Sequence, residues 1–175
     1  QATAKGGGIM FNPQSTNYHA VVKNTYLLSN ESPDGGAVDS YIFLSGSPFP
    51  ANASVLFENC LLAGNTSNNA TISTELLPNF TLLNCTLAEN SAGGIQLADQ
   101  SGLTLQNTIL YNAGYTEYTA ATGDVTVTSN GGNLVLDNSL NAYLTAQDKP
   151  ETAPGFMPGT YEPSPTSPLV NGGIN

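Results

Sequence analysis

The sequence predicts an all-β solenoid, a parallel β-helix of short strands followed by an irregular closing segment. Three observations predict it: a repeat returning every 23 to 35 residues, an apolar alternation of period two inside each repeat, and very little charge. The segments HAVVKNTYLLSN (19 to 30), SVLFENCLLAGN (54 to 65), NFTLLNCTLAEN (79 to 90) and GLTLQNTILYN (102 to 112) align without internal gaps until the last residue. Their central asparagines, Asn24, Asn59, Asn84 and Asn107, stand 35, 25 and 23 residues apart. Such spacings belong to solenoid repeats. The long first interval holds an insertion, SGSPFPANA (45 to 53), whose Pro and Gly mark a loop.

Each repeat resolves into about three strands. Before the Asn, apolar residues alternate as Ala20 and Val22, Val55 and Phe57, Phe80 and Leu82, Leu103 and Leu105. Period two means one buried face. After it come Thr25 and Leu27, Cys60 and Leu62, Cys85 and Leu87, Thr108 and Leu110, so a bend at the Asn would turn both strands onto one interior. The third strand follows a Gly-Gly pair in GGGIMF (6 to 11), GGAVDSYIFL (35 to 44) and GGIQLA (93 to 98), with NNATIS (68 to 73) in the equivalent place. No segment carries a capped helical period, which excludes helix-pair repeats. Coils stacked about 4.8 Å apart, five to seven of them, give a rod roughly 25 to 35 Å long. The rod is expected over 1 to 142. The Pro-rich segment 143 to 175 closes the same domain, because its prolines lack the N–H a ladder needs.

Composition narrows the function. The 175 residues carry only 9% charged side chains, against about 25% in an ordinary domain, with a net charge of -10. The cations are Lys5, Lys23 and Lys149, and arginine is absent, so no surface can neutralise a run of phosphates. No nucleic-acid partner is expected. No apolar run reaches the roughly 18 residues of a membrane span, and no signal peptide is expected before Gln1. Abundant Asn and Thr with little Lys points to an extracellular or cell-surface setting.

The recurring residues read as structural. Asn24, Asn59, Asn84 and Asn107 are expected to stack as an internal amide ladder, with Asn84 facing inward. Cys60 and Cys85 fall at the same position of adjacent coils. Their stacking distance permits a disulfide, while two buried thiols packing as small hydrophobes is the alternative. His19 is the single histidine, so a histidine zinc site or a catalytic triad with a spare base cannot be assembled. No catalytic residue and no metal ligand is assigned. Of the Asn-x-Ser/Thr triplets at Asn30, Asn52, Asn65, Asn69, Asn79 and Asn84, the loop acceptors for glycans would be Asn52, Asn65 and Asn69.

Acid chemistry would need paired carboxylates. The outward column Lys23, Glu58, Leu83, Gln106 offers one acid and one base. Asp34 with Asp39, Glu89 with Asp99, and Asp124 with Asp137 can meet around turns, which leaves calcium as a weak expectation and no other cofactor. A lyase also needs a cation beside the developing enolate, which a chain without arginine scarcely provides.

The GG-apolar elements and the LxxN elements LLSN (27 to 30), LAGN (62 to 65) and LAEN (87 to 90) resemble right-handed parallel β-helix surface proteins, including polymorphic outer-membrane-type repeats. LTLQNTILYNAG (103 to 114) followed by ETAPGFMPGTYEPSPTSPLVNGGIN (151 to 175) resembles the last coil and tail of bacterial choice-of-anchor β-helix proteins, with SPLVNGG (167 to 173) as the closing strand. The resemblance implies a right-handed, secreted or surface-attached, non-enzymatic module. It also implies a chain that continues beyond Asn175. The expected role is a spacer, adhesin segment or self-assembling filament subunit, partnered with itself end to end through terminal coils or with extracellular glycans. A polysaccharide lyase or glycoside hydrolase fragment is the enzymatic alternative. A carbohydrate-binding module using Tyr18, Tyr26, Tyr41, Tyr111, Tyr115 and Tyr118 is the third.

Overall fold

A computed structural model describes residues 6 to 13, 15, 17 to 41 and 51 to 174. The first coil contains β1 (Ile9–Phe11), β2 (His19–Lys23) and β3 (Tyr26–Leu28), and the second β4 (Val38–Ser40), β5 (Ser54–Glu58) and β6 (Leu61–Ala63). The third has β7 (Ile72–Glu75), β8 (Asn79–Leu83) and β9 (Thr86–Ala88). The fourth has β10 (Ile95–Ala98), β11 (Gly102–Gln106) and β12 (Ile109–Tyr111), and the fifth β13 (Tyr118–Thr122), β14 (Thr126–Ser129) and β15 (Leu134–Val135). A last strand, β16 (Lys149–Pro150), follows. Strands of equal rank stack into three parallel sheets, ordered β1-β4-β7-β10-β13, β14-β11-β8-β5-β2 and β16-β15-β12-β9-β6-β3. Of the insertion at 45 to 53, residues 45 to 50 lie outside the described residues.

Register follows the repeat. Ala20, Val55, Phe80 and Leu103 align through the second sheet, as do Val22, Phe57, Leu82 and Leu105. Leu27, Leu62, Leu87, Leu110 and Val135 align through the third. A one-residue slip would turn each whole column to solvent, which pins the register. Phe57, Phe80, Leu62, Leu82, Leu87 and Leu110 are fully buried, each worth about 1.5–3 kcal/mol relative to exposure. The rings of Phe11, Phe57 and Phe80 stack in succession, 6.1 and 5.6 Å between centroids.

The bend between the second and third sheets is made by the central asparagines, at φ 50, 55, 53 and 50° for Asn24, Asn59, Asn84 and Asn107. This is the left-handed region that asparagine tolerates better than most residues. The Gly-Gly element has a different cause. A Cβ on Gly94 would collide with the carbonyl oxygen of Glu117 on the next coil, so only glycine allows the coils to close up there.

The two ends differ. In the first coil Ile9, Tyr18, Ala20, Val22 and Leu27 are only partly buried, although their equivalents below are core. Met10, Val21, Tyr26 and Leu28, on the same coil, are exposed. At the other end Leu140 is fully buried under the fifth coil. The closing segment also contributes regular pairing, since Lys149 N–H donates to Asn133 C=O at 2.8 Å and Thr152 N–H to Val135 C=O at 3.2 Å. Pro150 lies between these donors, where its missing N–H costs no bond. The rest of the tail covers the outer face of the third sheet, with Pro163, Leu169 and Gly172 over Ile109 and Leu134.

Candidate functional site

The outer face of the second sheet is the natural place for chemistry on such a rod. Its column Lys23, Glu58, Leu83, Gln106 is in register. Lys23 Nζ lies 2.6 Å from Glu58 Oε2, so the one acid and the one base of the column neutralise each other. His19 Nδ1 is 2.7 Å from Ser54 Oγ on the coil below. The column holds one carboxylate, where glycoside hydrolysis uses two. Among the described residues no three His, Cys, Asp or Glu side chains cluster as a metal site. Asp34 is instead hydrogen-bonded by the side-chain amide of Asn69.

The central asparagines do bond to one another, but on the outside of the rod. Asn59, Asn84 and Asn107 each donate Nδ2 to the Oδ1 above, at 3.3, 3.2 and 3.1 Å. Asn24, Asn59 and Asn84 are exposed, which corrects the expectation that Asn84 faces inward. A residue at positive φ turns its side chain away from the strand parity that would have carried it inside. The lower end of this ladder is closed by the tail: Asn107 Nδ2 donates to Ile174 C=O at 2.9 Å, and Ile174 N–H to Asn107 Oδ1 at 2.8 Å.

A second amide ladder lies inside, at the corner between the third and first sheets. Asn30 donates both its main-chain N–H and its Nδ2 to Asn65 Oδ1, each at 2.9 Å. Asn65 does the same to Asn90, at 2.9 and 2.9 Å, and Asn90 to Asn112, at 2.8 and 2.9 Å. Asn112 ends the series by donating to the two oxygens of Glu117, at 2.5 and 2.6 Å. Asn65, Asn90, Asn112 and Glu117 are all buried. Asn30, Asn65 and Asn90 are the last residues of the LxxN elements, and Asn112 ends the matching segment of the next repeat. Asn65 is therefore corrected as a glycan acceptor, because its Nδ2 is committed to Asn90 Oδ1 and Leu27 C=O. Asn52 and Asn69 are exposed.

The column containing the cysteines continues as a third polar series. Cys60 and Cys85 are free, buried thiols directed at main-chain carbonyls, Cys60 at Glu58 (3.4 Å) and Cys85 at Leu83 (3.4 Å). Burial pushes the Cys85 thiol up to about 12, which removes it from nucleophilic use. Below them, Thr108 N–H donates to Asn133 Oδ1 at 2.9 Å. Asn133 donates N–H and Nδ2 to Asp148 Oδ1 at 2.8 and 2.9 Å.

Both buried series thus stop on a carboxylate, in different electrostatic settings. Burial pushes Glu117 up to about 7 against the pull of the Asn112 bonds, and the nearby Asp137 charge adds to the rise. Burial also opposes ionisation of Asp148, but bonds from Thr145, Ser129 and Asn133 outweigh it and hold the group below the ordinary carboxylate range. Neither carboxylate faces a cleft with a partner base, so both act as ladder stops.

In-register Asn stacks, three parallel sheets and one turn per repeat make a parallel β-helix, and the model of one family of such helices matches the chain. The chain belongs to the right-handed beta helix region family. The family model matches residues 4–142, so the solenoid is right-handed, as the sequence resemblance implied. No curated protein and no solved structure matches the chain. Right-handed β-helices include enzymes as well as structural modules, so membership fixes the fold and leaves activity to the site.

Proposed function

We propose that this right-handed β-helix is a non-enzymatic extracellular or cell-surface module, a rigid spacer or adhesin segment that displays its turns and tail. One observation carries the reading: among the described strand residues on the outer face of the second sheet, the single carboxylate, Glu58, is paired with Lys23 at 2.6 Å, and His19 is held by Ser54 at 2.7 Å. The neighbouring outward positions there, Leu56, Thr81 and Thr104, are aligned in register and bear no titratable group. The similarity of the GG-apolar and LxxN elements to surface-attached β-helices supports the same setting. Rigidity comes from side-chain ladders at both bends and from in-register main-chain pairing.

Self-association through end coils is narrowed by the closed C-terminal end. An open filament needs two complementary open ends, while here Leu140, β16 and the tail occupy one of them. Stacking on another β-helix coil is therefore assigned to the first coil alone, where the apolar rim lies. The reading is tested by incubating the chain with polygalacturonate, xylan, mannan and cellulose and measuring new reducing ends and unsaturated products. No turnover above a heat-denatured control is expected. Turnover lost in Glu58→Gln would contradict the proposal.

A further inference from the structure

The corner between the third and first sheets, on the lower coils, carries three clefts in a row. The first, about 320 Å³, lies between the tail around Phe156 and the pair Glu89 and Tyr111. The second, about 300 Å³, lies between Tyr111 and Tyr115 over Glu89, Asn90 and Ser91. The third, about 600 Å³, lies beyond Tyr115 and is edged by Ser67, Asn68, Thr116 and Thr119. Adjacent clefts share walls. Glu89 and Tyr111 border the first two, and Ser91 and Tyr115 border the last two. The three make one furrow, with Tyr111 and Tyr115 at the two shared walls.

The walls are held before any ligand arrives. Tyr111 meets Phe156 edge to face at 5.9 Å, and Phe156 meets Tyr161 in the same way at 5.8 Å. Tyr161 donates its hydroxyl to Glu89 Oε2 at 3.0 Å, and Glu89 N–H donates to Tyr111 C=O at 2.9 Å, which closes the circuit. A pre-ordered wall loses little side-chain freedom on binding. Tyr115 projects from the turn after Asn112, anchored by its N–H to Asn112 C=O at 3.0 Å, and is half exposed.

We propose that this furrow binds a linear, uncharged oligosaccharide. Sugar rings have an apolar C–H face, which packs on tyrosine, and a rim of hydroxyls, which needs acceptors and donors. The furrow offers both: two tyrosines, the hydroxyl and amide edges of Ser67, Asn68 and Thr116, and one carboxylate able to accept a hydrogen bond from a hydroxyl. None of its lining residues is a Lys or His. With a net charge of -10 on the chain, an anionic polysaccharide meets repulsion and no counter-charge. Each of the three clefts falls in the range of small-molecule sites, roughly 300–1,000 Å³.

The test titrates the whole chain with cellohexaose, mannohexaose and chitohexaose by calorimetry and NMR, with polygalacturonate as the charged probe. Saturable binding of at least one neutral hexamer is expected, weakened about tenfold in Tyr115→Ala and in Tyr111→Ala, and unchanged in Tyr26→Ala. Tyr26 is 73% exposed on the first coil, so it reports on tyrosine contacts away from the furrow. Tyr115→Ala removes no core contact, and its thermal melt should match that of the parent chain. No saturable binding of the three neutral hexamers at roughly 10 mM, tighter binding of polygalacturonate, or neutral binding that Tyr115→Ala leaves intact overturns the proposal.

Discussion

Asn112 donates its main-chain N–H and its Nδ2 to the two oxygens of Glu117, at 2.5 and 2.6 Å, and the Glu117 side chain is fully buried. Every amide above it in the series points its donors the same way, toward the C-terminal coils. The last amide is left with two donors and no asparagine beneath, and a carboxylate supplies two acceptors at once. The arrangement resembles an anion at a helix N-terminus, where aligned dipoles present unpaired N–H groups.

Glu117 makes stability depend on pH with a defined sign. Its value in the fold is raised to about 7 from 4.5, so between these the native chain holds a proton that the unfolded chain has lost. Its contribution is fully present below pH 4.5 and is lost as pH rises toward 7, each pH unit in that window being worth about 1.4 kcal/mol. Glu117→Gln meets Asn112 with one acceptor and one donor, a fixed cost that does not vary with pH. Denaturant melts should therefore show the variant gaining on the parent between pH 4.5 and 7. A constant gap would show that Glu117 ionises normally. Asp148, held low, has the opposite sign: its stabilisation is present at neutral pH and is lost as pH falls below the ordinary carboxylate range.

Cys60 and Cys85 should react as free thiols only after unfolding. Both are buried, and the raised value of Cys85 leaves no useful thiolate near pH 8. A colorimetric thiol reagent should detect no fast reaction in the native chain and both thiols in denaturant. Rapid native labelling, or a mass that increases on reduction, would contradict the packing.

Glycan occupancy should follow exposure. Expressed in a glycosylating host, the chain should carry glycans at Asn52 or Asn69 and none at Asn65, because a glycan there would break the bonds to Asn90 and Leu27. Glycopeptide mass spectrometry reads this directly, and an occupied Asn65 in folded material would refute the inner ladder.

Strand order, register and the core columns were legible in the sequence, because an in-register solenoid writes each column as a repeat: Val55, Phe80 and Leu103 occupy matching positions before they occupy matching rungs. The side of the rod on which each asparagine falls was not. Asn84 and Asn90 both recur, both precede or end a strand, and nothing in composition distinguishes an amide at positive φ on the surface from one facing the core. Asn84 has φ 53° and is exposed, while Asn90 is 1% exposed. Glu117 was illegible for another reason. It stands where the earlier coil has Gly94 of the Gly-Gly element, one residue before the first strand of the fifth coil, so the repeat marks its position for glycine and not for a ladder stop. The furrow walls were equally hidden, since Tyr111 and Glu89 meet Phe156 and Tyr161 only after the tail folds back over the third sheet.

The inner ladder as the element that holds the coils together is tested most directly by the same substitution in both ladders. Glycine accepts positive φ, so Asn84→Gly removes two exposed amide bonds and should cost less than about 1 kcal/mol. Asn90→Gly removes the acceptor of the buried Asn65 main-chain N–H and of one Asn65 Nδ2 hydrogen, together with the Nδ2 bond to Leu62 C=O, at about 1–3 kcal/mol for each group left unsatisfied. Equilibrium urea unfolding of the two variants at one pH should therefore rank Asn90→Gly several kcal/mol below Asn84→Gly. Equal losses, or a larger loss for Asn84→Gly, would contradict the inner ladder's role.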